Sequence, residues 1–192
     1  TEIYTLSLHD ASSDLVPQGQ LVPPEEATAN HGARVCRVDD QGRLYLALGQ
    51  PYNVQPRAKV ALYERLGIGG IIRMDADGKN REVYATGIRN SVGMDFAPDK
   101  TLWFTDNQVD GMGDDQPPGE LNQITKPGQN FGFPWYGGGN VRTVEYKDDK
   151  IPADVVPGPA PAGDAGRLVR VADAMADVES AIRTEEVMRN LF

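Results

Sequence analysis

One pattern occurs twice in this chain, and it constrains the fold more than any other feature. The stretches VCRVDDQGRLYLALGQ (35–50) and GMDFAPDKTLWFTDNQ (93–108) each contain a strand-like run, an acidic turn, a second run with an aromatic centre and a final Gln. The aromatic centres, Tyr45 and Trp103, are 58 positions apart. Because this spacing slightly exceeds the period of common propeller repeats, we assign the excess to a loop from Gln50 to Leu66.

Six short segments have the β-branched, aromatic and other apolar residues that favour strands. Turn signals separate them, and an Asp-Gly pair supplies the positive φ that a tight hairpin requires. The predicted strands are Ala33 to Val38, Leu44 to Leu48, Gly70 to Met74, Val83 to Thr86, Val92 to Phe96 and Thr101 to Thr105. A repeated meander of this kind predicts an all-β fold, a partial β-propeller of four-stranded antiparallel sheets.

Composition narrows the kinds of partner. The 192 residues include 28 acidic and 19 basic residues, which gives a formal net charge of −9. Like charges repel, so nucleic acid and anionic membranes are disfavoured as partners. No apolar run approaches the roughly eighteen residues that a transmembrane segment needs. We therefore expect a small molecule or another protein as partner, and we predict that the lone Cys36 is a small core residue.

Both ends of the chain differ from its middle. Residues 2–15, EIYTLSLHDASSDL, resemble the translation of a widely used sequencing adaptor, so we predict that residues 1–20 are non-native and disordered, and we exclude His9 from functional reasoning. Residues 157–192 are rich in Ala, with apolar residues at roughly helical spacing. A C-terminal amphipathic helix and a frame-shifted tail both remain open for this segment. The propeller domain is assigned to residues 21–156.

A propeller gathers its loops around a central channel, so three stretches at the ends of predicted strands are candidates for a site. They are NHGARV (30–35), GIRNSVG (87–93) and TDNQVDGMGDDQPPGELN (105–122). His31 has a side chain whose pKa near neutrality suits a general base, although an isolated histidine is more often a surface or core residue. Arg89 and Asn90 would point a cation and an amide into the channel, unless they form a surface turn.

The third stretch packs five carboxylates into eighteen positions, so it is either a cation-binding loop or a solvated acidic loop. An EF-hand starting at Asp106 fails, because Gln108 stands at position three and Pro117 at position twelve, where a bidentate Glu is required. One cysteine and one credible histidine exclude a zinc site. The glycines at 67–70 lack the strand before and the helix after that a dinucleotide fingerprint requires.

Taken together with KPGQNFGFPWYGGG (126–139), these stretches resemble the glucose/sorbosone dehydrogenase family, soluble sugar dehydrogenases that use pyrroloquinoline quinone, PQQ. The resemblance covers about residues 21–156, and its motifs occur in family order. It implies a six-bladed propeller of four-stranded sheets, of which this chain would form about half.

The resemblance also implies catalytic roles. His31 matches the base that removes the sugar hydroxyl proton while the carbon passes a hydride to the quinone. Asn30 stands where the family often has Asp, so a carboxylate that would orient the histidine is missing. Arg89 matches the arginine beside the reactive quinone carbonyl, where a fixed positive charge stabilises an oxygen as it becomes an anion.

The same resemblance implies a cofactor and metal site. Asn90, Asp106 and Asn107 match cofactor-binding residues, and calcium is expected on the backbone carbonyls of Gln108 and Val109. The family commonly has Gly-Pro at this last pair, which carbonyl ligation tolerates. The acidic residues that follow, Asp110, Asp114 and Asp115, would shape or screen the site without an assigned role.

The expected partners are a sugar substrate and an electron acceptor, and the expected location is periplasmic or extracellular. Because the family's later lysine and arginines that grip the quinone have no counterpart here, we predict that this polypeptide by itself is inactive. Two alternatives remain open, a propeller hydrolase of the gluconolactonase type and a non-catalytic propeller that binds other proteins.

Overall fold

The computed structural model describes residues 15–17, 19–28, 30–32, 35–113 and 116–155. Within them are ten strands, one α-helix and two short 3-10 helices, at Pro24–Glu26 and Arg57–Lys59. The other elements are β1 (Cys36–Val38), β2 (Leu44–Leu48), α1 (Val60–Leu66), β3 (Gly70–Met74), β4 (Glu82–Thr86), β5 (Met94–Phe96), β6 (Leu102–Asp106), β7 (Glu120–Ile124), β8 (Gln129–Asn130), β9 (Tyr136–Gly138) and β10 (Val141–Arg142).

The strands form sheets in the order of a propeller meander. The first sheet has the order β1-β2-β3-β4-β8, in which β1 to β4 are antiparallel and β8 runs parallel to β4. The second sheet has the order β5-β6-β7 and is antiparallel, and β9 pairs with β10. The prediction of an all-β, partial propeller is confirmed. The first sheet contains the predicted four antiparallel strands, and the second has three in the described part of the chain.

The repeat seen in the sequence is a repeat of structure. Cys36 of β1 pairs with Leu46 of β2, and Met94 of β5 pairs with Phe104 of β6, 58 positions further along in both strands. The two hairpin turns close with the same bond, in which the N–H at the start of the turn donates to the carbonyl four residues later. These are the first two strands of two successive blades.

The segment assigned to a loop, Gln50 to Leu66, differs from that interpretation. It contains the second 3-10 helix and α1, which ends at Gly67, whose φ of 75° is left-handed. This positive φ is readily adopted by glycine and stops the helix. The α1 helix has only 7 residues, which is too short for a clear helical period in the sequence. Strands β7 to β10 were also not predicted.

The main core lies between the two sheets, and burial alternates in opposite phase on their equivalent strands. On β2 the buried side chains include Tyr45 and Ala47, whereas on β6 they include Leu102 and Phe104. In a stack of blades, one face of a sheet packs against the opposite face of the next, so equivalent positions cannot both point into one interface. The Tyr45 ring crosses that interface to meet Phe96 edge-on, with 5.1 Å between ring centroids.

The other face of the first sheet is covered by the segment before β1. Leu48, Ile72 and Met74 form a second buried cluster, against which Val16, Leu21 and Val22 pack. Glu26 anchors this segment, because its carboxylate accepts hydrogen bonds from Lys59 Nζ and from the Tyr63 hydroxyl at 2.7 Å. The first sheet is therefore packed on both faces.

Cys36 corrects one prediction. The structure places it on β1, where all three residues are exposed, so its assignment to the core is wrong. The apolar run around it was typical of a buried strand, but β1 is the outermost strand of its sheet. The predictions for residues 1–14 and 157–192 lie outside the described residues, and no helix within the described residues combines the length and apolar character that crossing a membrane requires.

Candidate functional site

Alternating strand direction brings the candidate segments to one edge of the two sheets. The residues before β1, after β2, between β4 and β5, and after β6 all lie at this edge. A cavity of about 580 Å³ opens there, a volume typical of small-molecule sites. Six residues selected from the sequence line it: His31, Arg89, Asn90, Asn107, Gln108 and Val109. The seventh, Asp106, does not line it.

His31 reaches the cavity from a strained position. Its φ is 51°, in the left-handed region that few residues other than glycine adopt. Its Nδ1 lies 2.5 Å from the backbone carbonyl oxygen of Gln50. A carbonyl oxygen can only accept, so Nδ1 carries the proton and the lone pair of the neutral ring is on Nε2. The ring is oriented by this carbonyl, while Asn30 is exposed.

Gly49 allows two site residues to approach each other. A Cβ at position 49 would lie 2.7 Å from His31 Cβ and 2.5 Å from Asn90 Oδ1. These distances are steric clashes, so any larger residue at position 49 would displace His31, Asn90 or both. The absence of a side chain at 49 is therefore a requirement of the site geometry.

Arg89 is held by its neighbours on both edges of its guanidinium. The side chain is 4% exposed. Its Nε–H donates to the carbonyl of Asn53 at 3.0 Å, and Nη1–H donates to the carbonyl of Asn107 at 3.2 Å. Its Nη2 donates to Asn53 Oδ1 at 3.0 Å and to Asp110 Oδ2 at 2.8 Å. Within the described residues, one Nη1–H remains without an acceptor and can donate to a ligand.

Asp106 lies behind the cavity and supports it. Its two carboxylate oxygens accept the backbone N–H groups of Arg89 at 2.9 Å and Asn90 at 2.7 Å. Burial, followed by the neighbouring Glu120, raises the pKa of the Asp106 carboxyl to about 7, although the two N–H groups and the Arg89 charge act in the opposite direction. The family resemblance implied a cofactor-binding role for Asp106; in the structure its carboxylate bonds the backbone of the turn at 89–90.

Asn90 carries an unusual polar atom. Its Oδ1 is buried and makes no hydrogen bond within the described residues. A buried acceptor without a partner costs roughly 1–3 kcal/mol, so such atoms in native proteins generally have a purpose. Because Asn90 lines the cavity, a ligand that donates to this oxygen would recover that energy.

The acidic stretch does not form a cluster of carboxylate ligands. No group of three or more His, Cys, Asp or Glu side chains suited to a metal occurs in the described ranges. Asp110 is exposed and pairs with Arg89, and Glu120 accepts from the Asn122 side chain at 3.0 Å and from the Gly139 N–H. Asp114 and Asp115 lie outside the described residues. In the described chain, the backbone carbonyls of Gln108 and Val109 accept no hydrogen bond, so they fit a cation that prefers oxygen.

Sequence reasoning missed two residues that support the site, Gln50 and Asn53. Both follow β2 at the same edge at which Asn107 to Val109 follow β6. The signal was present, because the repeat aligned Gln50 with Gln108. The residues after β6 were selected because they follow a strand at the edge where the site lies. The same reasoning applies to the residues after β2.

Comparison with known families decides where this chain belongs. The model of the family described as glucose / sorbosone dehydrogenase matches residues 3–157. The chain belongs to that family. The match extends to about the end of the predicted propeller domain, and it also includes residues 3–20, which were predicted to be non-native.

One curated relative is longer than this chain. An uncharacterized protein of Borreliella burgdorferi is 37% identical over 126 residues, which are 64% of this chain and 31% of that protein. The chain thus spans about a third of the length of this relative.

Solved structures support the fold. A calcium structure of a Trichoderma reesei carbohydrate-active enzyme of family AA12 has a TM-score of 0.55 and 18% identity, covering 68% of this chain and 43% of that chain. The PQQ-bound aldose sugar dehydrogenase of Streptomyces coelicolor is 25% identical, with a TM-score of 0.42, over 56% of this chain and 32% of that chain. Only the first is close enough to carry a conclusion, and that conclusion is the fold.

Proposed function

We propose that this chain is part of a PQQ-dependent sugar dehydrogenase, which oxidises a sugar hydroxyl or hydrated aldehyde. One observation carries the proposal: His31, Arg89 and the carbonyl-bearing segment 107–109 surround a single cavity. Family membership indicates the class of reaction. The cavity offers a base, a fixed positive charge and carbonyl oxygens for a cation.

The residues present fit the quinone and its calcium ion. An anionic quinone needs hydrogen-bond donors and positive charge, which Arg89 provides with its remaining Nη1–H. The unpartnered Asn90 Oδ1 would accept a hydrogen bond from cofactor or substrate. Calcium takes carbonyl oxygens readily, and those of Gln108 and Val109 lie beside the cavity.

When bound, the quinone would supply a two-electron acceptor for the hydride of the sugar carbon, and a separate electron acceptor would serve to reoxidise it. The chain's own contribution is a base and a fixed charge. His31 Nε2 accepts the hydroxyl proton as the hydride leaves, and its Nδ1–H stays on the Gln50 carbonyl. Arg89 holds positive charge against the developing oxygen anion, at a position that Asp106 maintains through the backbone.

The chain alone is expected to bind the quinone weakly and not to turn over. Residues lining the cavity in the described chain include one arginine and no lysine, which is little positive charge for an anionic cofactor. Periplasmic or extracellular location, a sugar substrate and a separate electron acceptor remain predictions from the family.

Equilibrium titration with PQQ tests the proposal. Binding is expected with calcium present, and chelation of calcium should lower the affinity at least about tenfold. Arg89→Ala should weaken binding by about tenfold or more, since a hydrogen bond to a charged group contributes about 1.5–3 kcal/mol. Arg81→Ala, whose arginine bonds the backbone of residues 20, 21 and 66, is the matched control.

Three results would count against the proposal. A folded chain that binds no quinone with calcium present would remove its basis, and lactone hydrolysis without quinone would favour the hydrolase alternative. If the chain oxidises an aldose with calcium, PQQ and a dye as acceptor, the prediction of inactivity is wrong. A protein-interaction module would show no change in quinone binding between Arg89→Ala and the control.

A further inference from the structure

The turn after β2, residues 49–53, contacts both proposed reactive groups, although none of its residues lines the cavity. We propose that Gln50 and Asn53 are positioning residues. Through them the turn holds the His31 imidazole as the Nδ1–H tautomer and fixes the Arg89 guanidinium against the segment 107–110. This inference rests on the roles proposed for His31 and Arg89.

Gln50 links the two groups through its backbone. Its carbonyl oxygen accepts the His31 Nδ1–H at 2.5 Å, and its N–H donates to the Arg89 carbonyl at 3.1 Å. Its side chain is fully buried and closes the turn, because the amide oxygen accepts the Tyr52 N–H at 3.0 Å while the amide nitrogen donates to the Tyr52 carbonyl. The carbonyl that orients His31 is therefore held in place by the same residue's side chain.

Asn53 contacts Arg89 through both its backbone carbonyl and its side chain. Its backbone carbonyl accepts the Arg89 Nε–H, and its Oδ1 accepts an Nη2–H, both at 3.0 Å. The same Oδ1 accepts the Asp110 N–H at 2.8 Å, and Nδ2 donates to the Asp110 carbonyl at 3.0 Å. Asn53 is exposed, so core packing does not explain it. Its hydrogen bonds join the arginine to the loop after β6.

The physical consequence is preorganisation. A free arginine side chain loses rotamer freedom when it binds a ligand, and a free imidazole divides between two tautomers. The turn removes both costs before a ligand arrives, since it fixes the guanidinium and leaves the lone pair on Nε2. Asn30 has no carboxylate with which to orient His31. The backbone carbonyl of Gln50 orients the ring instead.

The tautomer can be read directly by ¹⁵N NMR of the imidazole ring in the 192-residue chain, without quinone. His9→Gln leaves one histidine signal. We expect the Nδ1–H form in this background and, in Gln50→Ala, a shift toward the Nε2–H form, which an unconstrained histidine side chain favours. Gln55→Ala is the matched control, because Gln55 is also buried but its carbonyl bonds the Tyr146 hydroxyl.

Solvent exchange of the Arg89 Nε–H, assigned with Arg89→Lys, tests the second contact. Asn53→Ala should speed this exchange by about tenfold, the equivalent of roughly one net hydrogen bond. Asn53→Asp keeps the acceptor oxygen and should restore slow exchange. Asn80→Ala is the matched control, since Asn80 is exposed, bonds the Asp75 side chain and has a φ of 53° that makes alanine there costlier.

The proposal is overturned if His31 is the Nε2–H tautomer in the His9→Gln chain. It is equally overturned if Asn53→Ala exchanges no faster than the Asn80→Ala control, or if Asn53→Asp fails to slow the exchange. These readings need no cofactor. Absence of quinone binding together with the expected tautomer and exchange rates would therefore reject the proposed function and leave the positioning geometry intact.

Discussion

The two sheets are built from the same repeat, yet they differ in how they are covered. The first sheet is buried on one face by the second sheet and on the other by the segment that contains Val16, Leu21 and Val22. The second sheet buries one face against the first, while its other face carries half-buried residues, including Trp103, Thr105 and Leu121. In a closed propeller every blade packs between two neighbours, so this second face is where a further blade would pack.

This difference teaches that equivalent residues of a repeat need not have equivalent roles. Tyr45 is 3% exposed in the interface between the sheets, and its counterpart Trp103 is only half-buried on the outer face. The site follows the same division, because the turn after β2 orients His31 and Arg89, and the segment after β6 lines the cavity.

The largest effect is expected at the shared face. Phe104 is 1% exposed and meets Phe131 edge-on, with 4.9 Å between ring centroids. Phe104→Ala should lower the free energy of unfolding by about 3–5 kcal/mol, because a cavity would open between the sheets. Urea unfolding measures this loss, and Phe104→Leu, which keeps most of the volume, should cost less than about 1.5 kcal/mol. Equal losses for the two variants would contradict the tight packing of this face.

A smaller effect is expected where the first sheet is covered by the preceding segment. Glu26→Ala leaves the buried Tyr63 hydroxyl without its acceptor and removes the ion pair with Lys59. The free energy of unfolding should fall by about 2 kcal/mol in urea titration. The exposed neighbour Glu25 is the control, and Glu25→Ala should stay within about 0.5 kcal/mol. Indistinguishable results for the pair would show that this anchor does not stabilise the sheet.

Equivalent positions of the repeat, Tyr45 and Trp103, can be compared directly, and the loss of stability expected at Trp103 is smaller than the losses above. Trp103→Ala on the outer face should cost about 1 kcal/mol in urea unfolding, against about 3 kcal/mol or more for Tyr45→Ala at the equivalent buried position. A loss at Trp103 as large as that at Tyr45 would mean that the outer face of the second sheet is as fully packed as the inner one.

The smallest expected effect is on how the free energy of unfolding changes with pH under acidic conditions. The hydrogen bond from Lys59, followed by that from Tyr63, lowers the pKa of Glu26. Its stabilising contribution is therefore complete above the ordinary Glu pKa of about 4.3 and is lost as pH falls through the lower folded value. Urea midpoints measured from pH 7 to pH 3 should fall less steeply below about pH 4.3 in Glu26→Gln. A profile parallel to that of the unaltered chain would reject this linkage.

Local pattern was sufficient to predict the repeat and the strands β2, β3, β4 and β6 to within about one residue. Strands β2 and β3 occur at the predicted residues, and β4 and β6 differ by one residue at their ends. The helix α1 and the strands β8 to β10 were missed because they are short, and β7, although it has five residues, was missed because its sequence ELNQI lacks a distinct alternation. Cys36 was misplaced because an apolar run does not reveal that its strand is at the edge of a sheet.

The site, too, was predictable from local sequence in some residues and not in others. Residue type and position after predicted strands selected His31, Arg89, Asn90 and the segment 106–109 from the sequence. Position after β2 also marks Gln50 and Asn53 as candidates, but it does not reveal their roles, which depend on hydrogen bonds to residues 19 and 36 positions away in the chain. The position of Asp106 behind the cavity was likewise not visible, since one carboxylate after a strand can point either way.

The sequence by itself determined the all-β class and the repeated hairpin, because hydrophobic alternation and turn chemistry act between neighbours in the chain. Residue types and the family resemblance supplied the candidate site residues. Only the tertiary structure decided which face of each sheet is covered, which nitrogen of His31 carries the proton and what holds Arg89. These depend on contacts between residues distant in sequence, and such contacts form only when the two sheets pack together.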